Sequence, residues 1–359
     1  MLEVVKSLLV TSLESYSGKS GFIVAFGKIL EDLGFRIGYF KPIGIYTGKV
    51  KDTPVDEDAL ITAESLGCEE KFKSICPVLI NKPYHEFVLK NYGNKSALIE
   101  KIKNAYTKLA KNKDIILIES IIDYAVGKFF ELDAVNIAKL FNSKILVVAK
   151  YNDFVLDKIL AVKDKLGDLL EFVVFNYVPM HKRESLLELA EKMIKDKPLV
   201  LGAIPKDPML SGVFISEIAE TLNGEILVEF EKDEIIEELL VGAMSTHTAM
   251  TYFRSAKNSA LIVAGDRPDL QVIALENPNI KCLVLTRNIE PPKPILGKAK
   301  LLKKPIILVK DDTANTIEKI HELFGKIRIK GEKVERMKNL VKKYIDTSKL
   351  VEHLSLTKH

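Results

Sequence analysis

The sequence predicts an α/β protein: a mostly parallel sheet with helices on both faces, followed by a smaller α/β unit. Three observations predict it. The strands read as continuous Val, Ile and Leu runs, such as DIILIES at 114–120 and KILVVAK at 144–150, and not as alternating ones. Helical patterns of ten or more residues separate them. Both are marks of a parallel sheet buried on its two faces. Around 223–240 the pattern changes to the charged stretch EILVEFEKDEIIEELL, and a second strand-and-helix series begins.

The elements follow in order. Residues 4–12 form a buried strand and 19–33 a helix that stops at Gly34. RIGYFKP at 36–42 is the second strand, and a helix at 57–66 is capped by Asp56. A long helix at 96–111 ends in a turn with Asn112 and Asp114, and the strand DIILIES comes next. Then helices at 131–141, 153–167, 182–195 and 213–222 alternate with strands at 144–150, 171–176 and 198–205. In the second series ALIVAGDRPD (260–269), KCLVLTRN (281–288) and PIILVKDDTANT (305–316) each run from strand into loop. The expected domains are 1–228, 229–330 and a Lys-rich tail at 331–359 that starts helical and then frays. A length of 359 residues and 47% hydrophobic residues suit two cores.

Composition excludes several classes. No apolar run reaches eighteen residues, and the N-terminus lacks a basic region and a cleavage site, so a cytoplasmic protein without membrane contact is expected. Fifty-three basic and 49 acidic residues leave a net charge of +4, which gives no electrostatic case for nucleic acid. Cys68, Cys76 and Cys282 are too scattered for a disulfide framework or a zinc site. Only seven of the basic residues are Arg, and with Lys, Glu and Ile abundant and Trp absent the composition leans towards a thermophile.

The chemistry starts at residues 4–20, VVKSLLVTSLESYSGKS. A buried strand, a polar loop ending Gly18-Lys19-Ser20, and an amphipathic helix form the context of a phosphate-binding loop. The loop fits the longer spacing GxxxxxGK[ST], with Ser12 at its first position. Backbone N–H groups of Ser15, Tyr16, Ser17 and Gly18 would hold phosphates, Lys19 would reach the terminal ones, and the Ser20 hydroxyl would ligate Mg²⁺. The bland alternative is a capping turn made by Ser17 or Ser20. Three features fit the loop. Lys41 ends the second strand, though a strand-end lysine can also simply reach into water. Asp56 and Asp58 open a helix, Asp56 in a capping position. Glu119 ends an apolar strand, where a cation would offset the cost of its burial. These features define a P-loop NTPase-type fold.

Together SLESYSGKS, FKPIG, DEDAL, DIILIES, ELDAVNIAKLFNSKILVVAK, Asn176 in FVVFN, and LGAIPKDPML resemble dethiobiotin synthetase. They resemble more closely the dethiobiotin-synthetase-like N-terminal region of long bacterial phosphate acetyltransferases. VGAMSTHTAMTYF, IVAGDRPDLQVIALE and LVLTRN are similar to the DRTGG domain that follows there. The resemblance implies ATP and Mg²⁺. Gly18, Lys19 and Ser20 match the nucleotide and metal loop, Lys41 the lysine that stabilises phosphate and intermediate, Asp58 and Glu119 the metal carboxylates, and Asn176 the base-contacting asparagine. Lys19 and Lys41 are thus the expected catalytic pair.

The departures matter as well. Ser12 replaces a glycine, Ile45 stands where a small hydroxyl residue helps hold the diamine, and Ser120-Ile121-Ile122 replaces a glycine and small residues. The nucleotide half of the site is kept and the biotin-precursor half is lost. The chain also lacks the further ~300 residues of an acetyltransferase domain, about two ordinary domains, so acetyl transfer is not expected. In the second half Asp266 and Arg267 of GDRPD, Thr286-Arg287, and Asp312-Thr313 follow strand ends. A small anionic metabolite held by Asp266, Arg267, Asp312 and Thr313 is one expectation, and turn chemistry is the other. The DRTGG glycines after LT are Arg287 and Asn288 here. His247 opens a helix without metal-ligand spacing to a second His or Cys.

The expectation is a Mg·ATP-binding protein with a regulatory DRTGG module, a homo-oligomer that hydrolyses ATP or activates a carboxylate. One rival is an amide ligase like the cobyrinic acid a,c-diamide synthases, though no cysteine sits in a glutamine-amidotransferase context. The other is a sensor or scaffold without turnover.

Overall fold

The structure, a computed structural model, describes residues 5–50, 52–68, 70–80, 83–324 and 328–356. Val4, at the start of the expected first strand, and the last three residues of the expected tail fall outside them. The chain divides into two compact units, Met1–Lys206 with Arg328–His359 and Asp207–Ile327.

The sheet of the first unit has six parallel strands: β1 (Lys6–Ser12), β2 (Ile37–Phe40), β3 (Ile115–Glu119), β4 (Lys144–Lys150), β5 (Leu170–Val178) and β6 (Leu199–Pro205). Their order is β6-β5-β4-β1-β3-β2. Leu8, Leu9, Val10, Ile116, Leu117, Leu146 and Val147 are all fully buried, which is why these strands carry no polar alternation. The chain winds from β1 out to β2 on one side and from β4 out to β6 on the other. The order therefore reverses at β1, and the carboxyl end of β1 is the switch point where such sheets take ligands. Two helices frame that point, α1 (Lys19–Asp32) and α2 (Glu57–Ser65). They pack closely because Gly27 has no side chain; a Cβ there would stand 2.5 Å from Leu66 Cδ2.

The second unit has its own sheet: β7 (Glu225–Val228), β8 (Glu238–Val241), β9 (Ser259–Ala264), β10 (Ile280–Thr286) and β11 (Ile306–Leu308), in the order β7-β11-β10-β9-β8. Four strands are parallel and β7 is an antiparallel edge. The loops after β9, β10 and β11 thus share one edge.

Three expectations are corrected. The boundary near 228 falls inside the second unit. Helix Ile215–Leu222 buries Ile215, Ile218 and Leu222 in that unit's core with Ile262, Val284 and Ile320, and β7 pairs with β11. The charged stretch that marked the change of pattern includes β8, a strand whose Leu240 is core while Glu238 faces out. The last segment is no separate tail: helix Glu332–Tyr344 belongs to the first unit, with Lys338 and Lys342 both on Asp32 of α1. Nor does it simply fray, because Asp346 caps a further helix, Thr347–His353.

Shorter differences have local causes. The helix expected from 131 starts at Ala134, where the Asp133 carboxylate caps it. The helix expected from 213 starts at Ile215, because Val213–Phe214 pairs with Ile235–Ile236 as a strand. Arg287 and Asn288 take φ of 68° and 55°, the left-handed backbone that glycines would supply at no steric cost. Their N–H groups donate to the carbonyls of Asp311 and Val309, each at 2.8 Å, and hold that corner in place. Among the described residues no helix is long and apolar enough to cross a membrane.

Candidate functional site

β1 ends at Ser12, α1 begins at Lys19, and the loop between them is fixed by its own backbone. The hydroxyls of Ser12 and Ser17 both reach the Glu14 carbonyl, at 2.8 and 2.7 Å. Tyr16 takes φ 55° with an exposed ring, and Gly18 takes φ 90°. Gly18 is the residue before α1, and no side chain caps the helix. The capping alternative is therefore not what these serines do. Ser17 serves the loop, and the Ser20 hydroxyl donates to Glu119 Oε1 at 2.8 Å. Gly18 is required twice over: its φ is positive, and a Cβ would lie 2.2 Å from Asn176 Nδ2.

Lys19 is buried. Its ammonium donates to Ser12 Oγ at 3.0 Å and to the Ile122 carbonyl. Burial pushes its pKa down to about 8, with the Lys41 charge acting the same way; Glu119, Asp123 and Asp58 pull against them. Glu119, at the end of β3, is buried too and has both oxygens engaged: Oε1 by Ser20, Oε2 by the Tyr39 hydroxyl at 2.6 Å. Lys41 lies 2.9 Å from Asp56 Oδ2, and both side chains are buried. Burial disfavours the Lys41 charge, yet Glu119 and Asp56 outweigh it and hold the pKa above the usual lysine value. Asp56 also accepts from Ala59 N as the cap of α2 and from Ile45 N. One carboxylate thus closes a helix end, a loop and an ion pair; losing it would leave a buried ammonium uncompensated.

Among the described residues no three His, Cys, Asp or Glu side chains gather into a metal cage. Mg²⁺ that arrives on phosphates needs fewer protein ligands, usually one or two carboxylates. The donors here fit that mode. Ser20 offers a hydroxyl backed by Glu119, and Asp58, in the first turn of α2, keeps a side chain 59% exposed. Glu119 is already doubly bonded, so it would act through Ser20 or a water.

The remaining predicted residues divide sharply. Asn176 at the end of β5 reaches the loop: Nδ2 donates to the Ser17 carbonyl and Oδ1 accepts from Tyr177 N, both at 2.9 Å. One N–H and one lone pair of its amide remain for a base edge. In the second unit Arg267 donates to both Asp269 oxygens, at 3.0 and 2.9 Å, and to the Met244 carbonyl at 3.0 Å. Asp312 accepts from Asn315 N at 2.9 Å, and the Thr313 hydroxyl lies 3.1 Å from that of Thr286. Asp266 bears on Arg267 through charge.

Tyr39, Asp123 and Arg328 were missed. Tyr39 lies on β2 two residues before Lys41, the residue just past the strand, a period-2 signal that could have found it. Asp123 sits in the loop that replaces the family's small residues, where its carboxylate accepts from Ala125 N and Val126 N. Arg328 carries no sequence signal, since its partners lie some 270 positions away.

The sheet and the loop define a P-loop nucleotide-binding fold. A family model described as AAA domain (AAA_26) matches residues 6–213, and the chain belongs to that family; a DRTGG domain model matches residues 217–323. The chain is 25% identical over 372 residues to a phosphate acetyltransferase of Nitratidesulfovibrio vulgaris, covering 96% of this chain and 51% of that protein. It is 28% identical over 145 residues to the ATP-dependent dethiobiotin synthetase BioD of Methanococcus vannielii, covering 40% of this chain and 65% of that one. The chain thus spans about half the length of the phosphate acetyltransferases it matches. Among solved structures, the cobyrinic acid a,c-diamide synthase of Mycobacterium smegmatis with ADP and magnesium aligns at 15% identity and TM-score 0.30, over 56% of this chain and 87% of that one. The CBS and DRTGG domains of the Clostridium perfringens pyrophosphatase with diadenosine tetraphosphate align at 21% identity and TM-score 0.27, over 30% and 45%.

Proposed function

We propose that the first unit binds Mg·ATP and that the protein is a regulator, the second unit sensing a small anionic metabolite. One observation carries the nucleotide reading. Lys19 is a buried ammonium whose hydrogen-bond acceptors are a hydroxyl and a backbone carbonyl, and burial lowers its pKa to about 8. A buried cation on neutral acceptors is costly, and an anion beside it removes the cost. The N-terminus of α1, without a side-chain cap, lies next to it and favours phosphate.

Each residue then has a role. Lys19 turns from Ser12 and Ile122 to the terminal phosphates. Ser20 and Asp58 hold Mg²⁺, which would neutralise phosphate charge, and Glu119 orients the Ser20 hydroxyl. Lys41, fixed by Asp56, supplies a permanent positive charge at the same edge. Asn176 offers its free N–H and lone pair to adenine, so ATP is favoured over GTP. Ile45 and Ile121 leave the neighbouring substrate side apolar; Ile121 lines a small pocket with Leu9, Leu132 and Ile137 against Glu119. That lining supports sensing over synthesis of a polar product.

The test is thermal unfolding with nucleotides, with and without Mg²⁺. A rise in Tm with Mg·ATP, larger than with Mg·GTP, is the expected result. No shift at millimolar Mg·ATP would remove the site, and phosphate release under the same conditions separates turnover from binding.

A further inference from the structure

The chain leaves the second unit at Ile327, and Arg328 is the first residue back in the first unit. Arg328 and Ile329 meet the two helices of the nucleotide site. Ile329 fills the space left by Gly21, the residue after Ser20; a Cβ on Gly21 would stand 3.1 Å from Ile329 Cγ1. The Ser65 hydroxyl, at the end of α2, donates to the Ile329 carbonyl at 2.8 Å. Arg328 Nη2 donates to Glu57 Oε2 at 2.8 Å, and its Nε faces Asp58 Oδ1 at 3.9 Å. That Nε is buried and has no hydrogen-bond acceptor.

The guanidinium therefore spans two consecutive carboxylates, bonded to one and held about an ångström short of a bond with the other. A planar fork is built to close two such bonds at once, so the open one is a position to which Asp58 can move. Asp58 is also the carboxylate left open for a metal. Two cations then compete for one group.

We propose that Arg328 is a positioning residue for Asp58: it holds the metal carboxylate as an alternative cation that Mg²⁺ must displace, so the segment leaving the second unit sets how much Mg²⁺ nucleotide binding requires. This rests on the reading that the first unit binds Mg·ATP through Asp58. Lys41, Asp56 and Glu119 act on Asp58 as well, but all three lie within residues 1–206 of the first unit. Arg328 alone among these groups is joined directly to the chain of the second unit.

The experiment is calorimetric titration of ATP into the full chain over a series of Mg²⁺ concentrations. Arg328→Gln is expected to lower the half-saturating Mg²⁺ about three- to tenfold and to leave ATP affinity in EDTA unchanged. Arg328→Lys, which keeps the charge but not the fork, should fall between wild type and Arg328→Gln, and a Lys variant with a lower Mg²⁺ requirement than Arg328→Gln would overturn the proposal. In an Asp58→Asn background Arg328→Gln should have no effect, since the contested group is gone. An unchanged or raised Mg²⁺ requirement in Arg328→Gln overturns the proposal, and so does weaker ATP binding in EDTA, which would mean that Arg328 grips phosphate. A wild type that binds no ATP at any Mg²⁺ concentration overturns the nucleotide reading itself; a wild type that binds beside an unchanged Arg328→Gln overturns only this inference. Ligand-free melting of each variant shows whether it folds.

Discussion

The two units present the same architecture at their sheet edges and use it in opposite ways. At the edge of the first, polar side chains reach partners far along the chain: Ser20 to Glu119, Asn176 to Ser17, Lys19 to Ile122. At the edge of the second, the polar side chains mostly satisfy one another locally: Arg267 on Asp269, Asp312 on Asn315. Local pairs need only a turn or a helix start to form. Long-range pairs need the whole sheet, and they leave Lys19 buried against neutral acceptors. Polar loops on one edge are thus a common consequence of the fold, while a buried ammonium hydrogen-bonded only to neutral acceptors sets the first edge apart.

The largest test removes that charge. Lys19→Ala should abolish the Tm rise with Mg·ATP, which at 100 times the dissociation constant corresponds to about 2.7 kcal/mol in wild type. A Lys19→Ala variant that keeps the rise would make the two edges equivalent.

Next comes the fit of the loop to β5. Gly18→Ala should destabilise the ligand-free protein by about 1–2 kcal/mol from the left-handed backbone alone, with more from the 2.2 Å approach to Asn176 Nδ2. Urea unfolding measures it. Asn176→Ala should recover part of the loss in the double variant, because it opens the space.

The pH dependence is smaller and its sign is fixed. The folded pKa of Lys19, about 8, is below the ordinary 10.5, so the unfolded chain binds more protons between those values. Ligand-free stability from this group therefore rises as pH climbs through that window. ATP needs the charged form. Above pH about 8 the free protein loses the proton and binding must take it back, so affinity should fall by up to about tenfold per pH unit. Proton uptake near one per ATP at pH 9 and near zero at pH 7, read by calorimetry in two buffers, is the expected pattern.

The smallest effect is expected in the second unit. Arg267→Ala breaks a partly exposed pair and should cost under about 1 kcal/mol. If instead it abolishes binding of an anionic metabolite, and that metabolite and ATP alter each other's affinity by equal factors, the second edge is a site as well. A coupling of about 1–3 kcal/mol would be ordinary.

Much of this was legible in the sequence. Continuous apolar runs gave away the buried parallel strands, and GKS after a strand gave away the loop. Lys41, Glu119 and Asn176 were readable because each lies at or within two residues of a strand end at the switch edge. The partners were not. Asp56 reads as a cap, which it is, and nothing local says that it also neutralises Lys41. The domain boundary was misplaced because surface charge resembles a linker, whereas the division follows which core takes Ile215 and Ile218. The role of the last helices was hidden for the same reason: 331–359 reads as a Lys-rich tail, and only the fold says that Met337 and Lys338 meet α1.

The discontinuity of the first unit also has a consequence in time. Its two parts are separated by residues 207–327. During synthesis at roughly 5–20 residues per second, residues 1–206 therefore wait about 6 to 24 seconds before residue 328 is made. Throughout that interval the side of α1 at Gly21 lacks Ile329 and Met337, its cover in the finished molecule. The nascent chain thus carries an open apolar seam beside an unfinished phosphate-binding loop while the second unit, contiguous in sequence, can fold ahead of it. A ribosome stalled between 330 and 345 would display a protein half closed, and nucleotide added then would report whether the loop forms before its last wall arrives.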